Sequence, residues 1–187
     1  MLQVIQDDAG ILLAALSPEE VLAFLDVCPR STLQAHPLTL LVLMRRMFTW
    51  QQIPKMLELR ALLLAGIEAH PELPDAERDN LLGECDLIMS FLQYNDIAAM
   101  SRLHRSAAAR MTRPAISIRN EGSWTFGSPS VLMMFHRAPG QLDAELDAMN
   151  ACMPHYYRLT NGHGQGAERI MDCLLYTSPS PRDGLLS

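Results

Sequence analysis

The sequence predicts an all-α fold of stacked antiparallel helical hairpins, a fragment of a tetratricopeptide-like α-solenoid. Three observations carry this. Apolar residues recur at helical spacing through most of the chain. Helix starts are marked at short intervals by Ser17, Pro18, Pro37 and Pro74. Two tight turns, at Trp50 and Asn95, lie 45 residues apart, within the roughly 34–47-residue periods of helical-hairpin repeats. One such hairpin cannot bury its apolar face alone, so stacking on a neighbour stabilises it.

Taken in order, Val4, Ile5, Ile11, Leu12, Ala15 and Leu16 suggest a first helix interrupted near Gly10. Ser17, Pro18 and Glu20 form a capping box with proline at the first helical position, and Val21, Phe24 and Leu25 give the following helix one apolar face. From Pro37, Leu40, Leu41, Leu43, Met44 and Met47 make a helix ending near Thr49 and Trp50. Ile53, Met56, Leu57, Leu63, Leu64 and Ile67 begin another at once, and so short a joint demands antiparallel packing. Pro74 opens the second pair, with Leu81, Leu82, Cys85, Ile88, Met89 and Leu92 on one side. After the turn at Tyr94, Asn95 and Asp96, its partner offers Ile97, Met100, Leu103, Ala107 and Met111, so that Leu92, Met89, Met100 and Leu103 face one another. Hairpin repeats thus occupy residues 1–111.

Residues 112–130 break the pattern, being rich in Ser, Thr, Pro and Gly, with a brief strand-like alternation from Ala115 to Arg119. Further repeat helices are expected over 131–172. Val131 to His136 is one, and Leu142, Leu146, Met149, Met153 and Tyr156 line the face of another that Pro154 should end or kink. Asn161 to Gly166 reads as a turn. From Cys173 to Asp183 the chain resembles, residue for residue, the translation of a transposase adapter used in sequencing libraries. Residues 173–187 are therefore expected to be a non-native, disordered tail, and the native helix to continue beyond Asp172 in another sequence.

Composition narrows the function. A net charge of −6 argues against direct nucleic-acid binding, which depends on Lys and Arg neutralising phosphates. Apolar runs such as Leu38 to Met44 fall short of the roughly 18 residues a membrane span needs. Asp7 and Asp8 stand where a secretory signal would want a basic start, so a cytoplasmic setting is expected. No two of Cys28, Cys85, Cys152 and Cys173 form a CxxC pair, which favours reduced, buried thiols.

Candidate sites are few. Gly162, Gly164 and Gly166 mimic a phosphate-cradling loop but match neither the dinucleotide fingerprint nor the P-loop spacing, leaving an interhelical turn. Cys152, His155 and His163 are metal-ligating types at irregular spacing, and no metal is expected. Arg102, His104, Arg105, Arg110, Arg113 and Arg119 form a run without an acidic residue, either a solvated face or a docking surface on which Arg102 and Arg105 meet a partner. Trp124 and Phe126, set in a Gly/Ser-rich loop, either anchor a ligand or partner or plug the groove between hairpins. No catalytic triad, paired carboxylates or cofactor motif is assignable, so no enzyme and no cofactor are expected.

Four segments, Leu16 to Leu22, His36 to Leu38, Leu62 to Gly66 and Tyr94 to Met100, resemble the tetratricopeptide-like arm of MalT-like, LuxR-type transcriptional regulators. The resemblance covers roughly Leu16 to Met111. It implies a sensor or coupling arm that binds a protein partner or small-molecule inducer, placed between an ATP-binding switch domain and a C-terminal helix-turn-helix. Neither of those domains is represented: no Gly-x-x-x-x-Gly-Lys-Ser/Thr loop is present, and the only lysine is Lys55. DNA would be reached only through the missing C-terminal domain. The alternative is a stand-alone helical scaffold for protein–protein interaction.

Overall fold

Ser17 accepts a hydrogen bond from the Glu20 amide at 3.2 Å while Glu20 accepts one from the Ser17 amide at 2.8 Å, so the capping box forms as the sequence predicts. It starts α2 (Pro18–Val27) in a computed structural model that describes residues 1–93, 96–119 and 141–165. All regular structure among the described residues is helical. Before α2 come α1 (Leu2–Asp7) and a 3-10 turn over Leu12–Ala15. The break between them falls at Ala9 and Gly10, both at positive φ, and a Cβ on Gly10 would collide with Val42. α1 is tied down by Thr39, whose buried hydroxyl donates to the Leu2 carbonyl at 2.8 Å.

After a short α3 (Arg30–Gln34), α4 (Pro37–Thr49) and α5 (Ile53–Ala69) form the first hairpin. Their joint is a Schellman turn: Gln51 takes φ 58° while the amides of Gln51 and Gln52 donate back to the carbonyls of Phe48 and Met47. The packing is almost wholly apolar. Leu40, Leu41, Leu43, Met44 and Met47 of α4 are fully buried, as are Met56 and Leu63 of α5. Leu57, placed in the apolar face by sequence, is 45% exposed, and Leu59 is buried in its stead. A run of Leu at 57, 59, 62, 63 and 64 blurs the helical period, so spacing alone cannot choose the face.

α6 (Asp75–Ser90) and α7 (Ile97–Arg110) make the second hairpin. The antiparallel sense follows from the pairs they form: Asp79 meets Arg110, Asp86 meets Ser106 and Ser90 meets His104. Tyr94 and Asn95 of the expected turn lie outside the described residues. Asp96 caps α7, its carboxylate accepting from the Ala99 amide at 2.8 Å. α6 packs on α4 more than on α5, and it is buried on several sides, including Gly83, Glu84 and Ser90. Met100 and Ala107 are buried as expected, but Leu103, Met89 and Leu92 are only half-buried, and His104 takes the inner position assigned to Leu103. The polar partners that make an inward histidine tolerable come from elsewhere in the chain.

From Met111 to Arg119 the chain is irregular, and the alternation from Ala115 forms bends rather than a strand. The amides at this point serve side chains of α6 instead of a sheet ladder. α8 (Leu142–Leu159) follows and continues five residues past Pro154, which therefore does not end it. Pro154 and Asn150, whose carbonyl loses its donor, both sit on the exposed side of the helix. Met149, Met153 and Tyr156 are buried as expected. The turn after α8 is present, with Asn161, Gly162 and Gly164 at positive φ. Cys152 lies against His104, Arg158 against Ala108, and Leu159 against Ala115, so α8 runs in the same direction as α7.

Candidate functional site

The seam between α7 and α8 gathers most of the residues to which the sequence draws attention. Arg102 and Arg105 stand one turn apart on the exposed side of α7, and neither has an ion-pair partner among the described residues. Arg158 extends the basic face from α8, its guanidinium donating at 3.1 Å to the carbonyl of Ala108, one of the last in α7 without a helical donor. Trp124 and Phe126 lie outside the described residues.

The rest of the basic run is engaged. Arg110 pairs with Asp79 at 3.4 Å, and Arg113 pairs with Glu77 at 2.8 Å and Glu84 at 3.2 Å. Arg119 donates to the carbonyl of Asp8 at 3.3 Å. The run lacks acids in sequence only: α6 and the N-terminal segment supply acceptors that are remote along the chain.

Glu84 is central to this fastening, though sequence treats it as an ordinary helix-surface acid. It is fully buried. One carboxylate oxygen accepts from the amides of Ile116 at 2.9 Å and Ser117 at 2.6 Å, while the other takes the Arg113 contact. One turn earlier, Asn80 accepts from the amide of Thr112 at 2.9 Å. Arg45 of α4 donates to the Ser117 carbonyl at 2.9 Å. Residues 112–119 thereby form a strap that α6 holds from one side and α4 from the other.

Beneath the basic face lies a closed hydrogen-bond chain. Ser90 donates to the Leu87 carbonyl at 2.6 Å, so its oxygen is left to accept from Nε2–H of His104 at 3.0 Å. That tautomer leaves Nδ1 as an acceptor for the Cys152 thiol at 3.5 Å. Burial, with His155 nearby, holds the His104 imidazole at about 4. Burial also pushes the Cys152 thiol up, outweighing the pull of Ser101 and Arg105. A cysteine–histidine nucleophile needs a thiolate. Here both partners are held neutral, and Cys152 is fully buried.

The remaining metal-type residues are drawn apart. Nδ1 of His163 meets the Tyr156 hydroxyl at 2.8 Å, and Cys152 turns to His104, so Cys152, His155 and His163 do not converge. Among the described residues no group of three or more His, Cys, Asp or Glu is placed to hold a metal ion. Nor is any described helix long and apolar enough to cross a membrane. No family model matches the chain, and no curated protein or solved structure is significantly similar to it.

Proposed function

We propose that this chain is part of the sensor or coupling arm of a MalT-like, LuxR-type transcriptional regulator, and that it works by binding a protein partner or small-molecule inducer. The observation that carries the reading is the pair of exposed guanidiniums of Arg102 and Arg105, without a carboxylate partner among the described side chains, in a chain of net charge −6 whose other arginines on this run are engaged. Such a face suits an acidic protein surface. Support also comes from the architecture, since two helical hairpins with α6 laid on α4 are what adjacent tetratricopeptide-like repeats require. The neutral, sealed Cys152–His104 pair supports binding rather than chemistry.

The test is a titration of the purified chain with a fluorescent ATP analogue and with duplex DNA at physiological salt. Neither should give a saturable signal. Saturable binding of either would remove the assignment to an arm that depends on separate nucleotide- and DNA-binding domains. Sequencing outward from the same gene should reveal those domains; their absence on both sides would leave a free-standing scaffold as the better reading.

A further inference from the structure

Three arginines close a ring where α4, the strap and the turn after α1 meet. Arg45 and Arg46 are neighbours on α4. Arg45 reaches the strap, donating to the Ser117 carbonyl at 2.9 Å, and Arg119, further along the strap, reaches back to the Asp8 carbonyl at 3.3 Å. Arg46 completes the circuit by donating to the Gly10 carbonyl at 3.4 Å. These links all end on carbonyl oxygens, which carry only partial charge. Asp8, whose backbone belongs to the circuit, turns its carboxylate to the amides of Gly10 and Leu12, at 2.7 and 2.8 Å. Neither Arg45 nor Arg46 has a carboxylate partner among the described residues.

The ring therefore concentrates positive charge in a chain of net charge −6. Burial, together with the like charges of Arg46 and Arg119, lowers the pKa of Arg45 against an opposing effect of Tyr156. Toward α8 the wall is neutral: the Tyr156 hydroxyl and Nδ1 of His163 meet each other at 2.8 Å, and burial with the Arg45 charge holds His163 below its ordinary value. Glu84 approaches from α6, but it accepts from the Ser117 amide and is matched by Arg113. Ser117 adds a second, independent sign. It is 1% exposed, yet its hydroxyl makes no hydrogen bond, an unfavourable state for a buried donor. Rotation about its Cα–Cβ bond can swing that hydroxyl within the residue whose carbonyl Arg45 already holds.

We propose that this ring binds a small free oxyanion of the phosphate type. Arg45 and Arg46 each show one hydrogen bond to the protein out of the five N–H donors a guanidinium offers. The remaining donors lie in flat forks that match pairs of oxygens on a tetrahedral anion, a fit that a spherical halide lacks. The Ser117 hydroxyl would turn to donate to a further oxygen. A bound anion would tie α4, the strap and the N-terminal turn together. The inference goes beyond the sensor-arm reading and does not use Arg102 or Arg105.

Calorimetric titration of the whole chain with inorganic phosphate, in sodium chloride of about 0.15 M, should give saturable binding with a Kd of about 1 mM, weak as befits so small a ligand. Sulfate should compete, and the chloride background should not suppress the signal. Arg46→Ala should weaken phosphate at least about tenfold. Ser117→Ala should weaken it about threefold without lowering the urea midpoint, because the hydroxyl it removes bonds to nothing in the fold. Arg102→Ala should bind as the unaltered chain does. No saturable heat, failure of sulfate to compete, undiminished binding in Arg46→Ala, or an equal loss in Arg102→Ala overturns the proposal. If Arg46→Ala misfolds, Ser117→Ala still locates the site. Failure here leaves the regulator-arm reading standing, whereas saturable ATP or DNA binding that persists in Arg46→Ala removes that reading without touching this ring.

Discussion

The two hairpins are built by different means. α4 and α5 meet through leucine and methionine side chains that need only shape and spacing. α6 and α7 share apolar contacts too, Leu81, Ile88, Met100 and Ala107 among them, but add the polar pairs Asp86 and Ser106, Ser90 and His104, and Asp79 and Arg110, with Glu84 and Asn80 reaching onward to the strap. Apolar packing tolerates some substitution as long as volume is kept, while a buried polar network is costly whenever one member loses its partner. The first hairpin therefore supplies bulk stability, and the second fixes how the parts are joined.

The sharpest way to break this comparison is Glu84→Ala. It strands the buried amide of Ser117 and the half-buried amide of Ile116 and removes one of the two carboxylates on Arg113. The expected cost is about 3–5 kcal/mol, read as a shift in the urea midpoint. A loss under about 1 kcal/mol would show that the strap is not held by this carboxylate.

Acid should act next most strongly, and on the second hairpin first. His104 has a folded pKa of about 4 against an ordinary 6.5, so below pH 6.5 the unfolded chain takes up a proton that the folded chain refuses. The stability from the neutral imidazole is whole above pH 6.5 and is lost as pH falls toward 4, by about 3 kcal/mol in total. Burial also lowers the pKa of His163, which adds in the same direction. Urea midpoints between pH 7 and 4 should fall for the unaltered chain and fall less for His104→Phe. Parallel slopes would exclude His104 as the source.

The smallest effect sharpens the first hairpin. Leu57→Asp should change stability by no more than about 0.5 kcal/mol, because its side chain lies outside the core. A loss of several kcal/mol would restore the face that helical spacing assigns to it.

Legibility follows the same division. The capping box at Ser17, the bounds of α4 and α5, and the inward Met149, Met153 and Tyr156 are all readable, because local hydrogen bonding and apolar period dictate them. His104, Glu84 and Asn80 are not, since a polar residue is called inward only by partners that adjacent sequence does not reveal. Arg113 is the mirror case: it reads as a free charge until α6 brings Glu77 and Glu84 to it. Of the proposed partner contacts, Arg102 and Arg105 are indeed exposed, while Trp124 and Phe126 fall outside the described residues.

The common direction of α7 and α8 carries a consequence for how the chain reaches this state. Helices joined by a short turn can find each other by local search, but parallel neighbours cannot, and here Arg110 and Leu142, far apart along the chain, must be brought together before Cys152 can reach His104. Bringing them together costs chain entropy before any contact rewards it. The α6–α7 hairpin should therefore assemble first, presenting Ser90 and His104 as a half-made network to which α8 docks late. In the folded protein the amides of α8 should correspondingly exchange before those of α6 and α7, by lifting away while both hairpins stay intact.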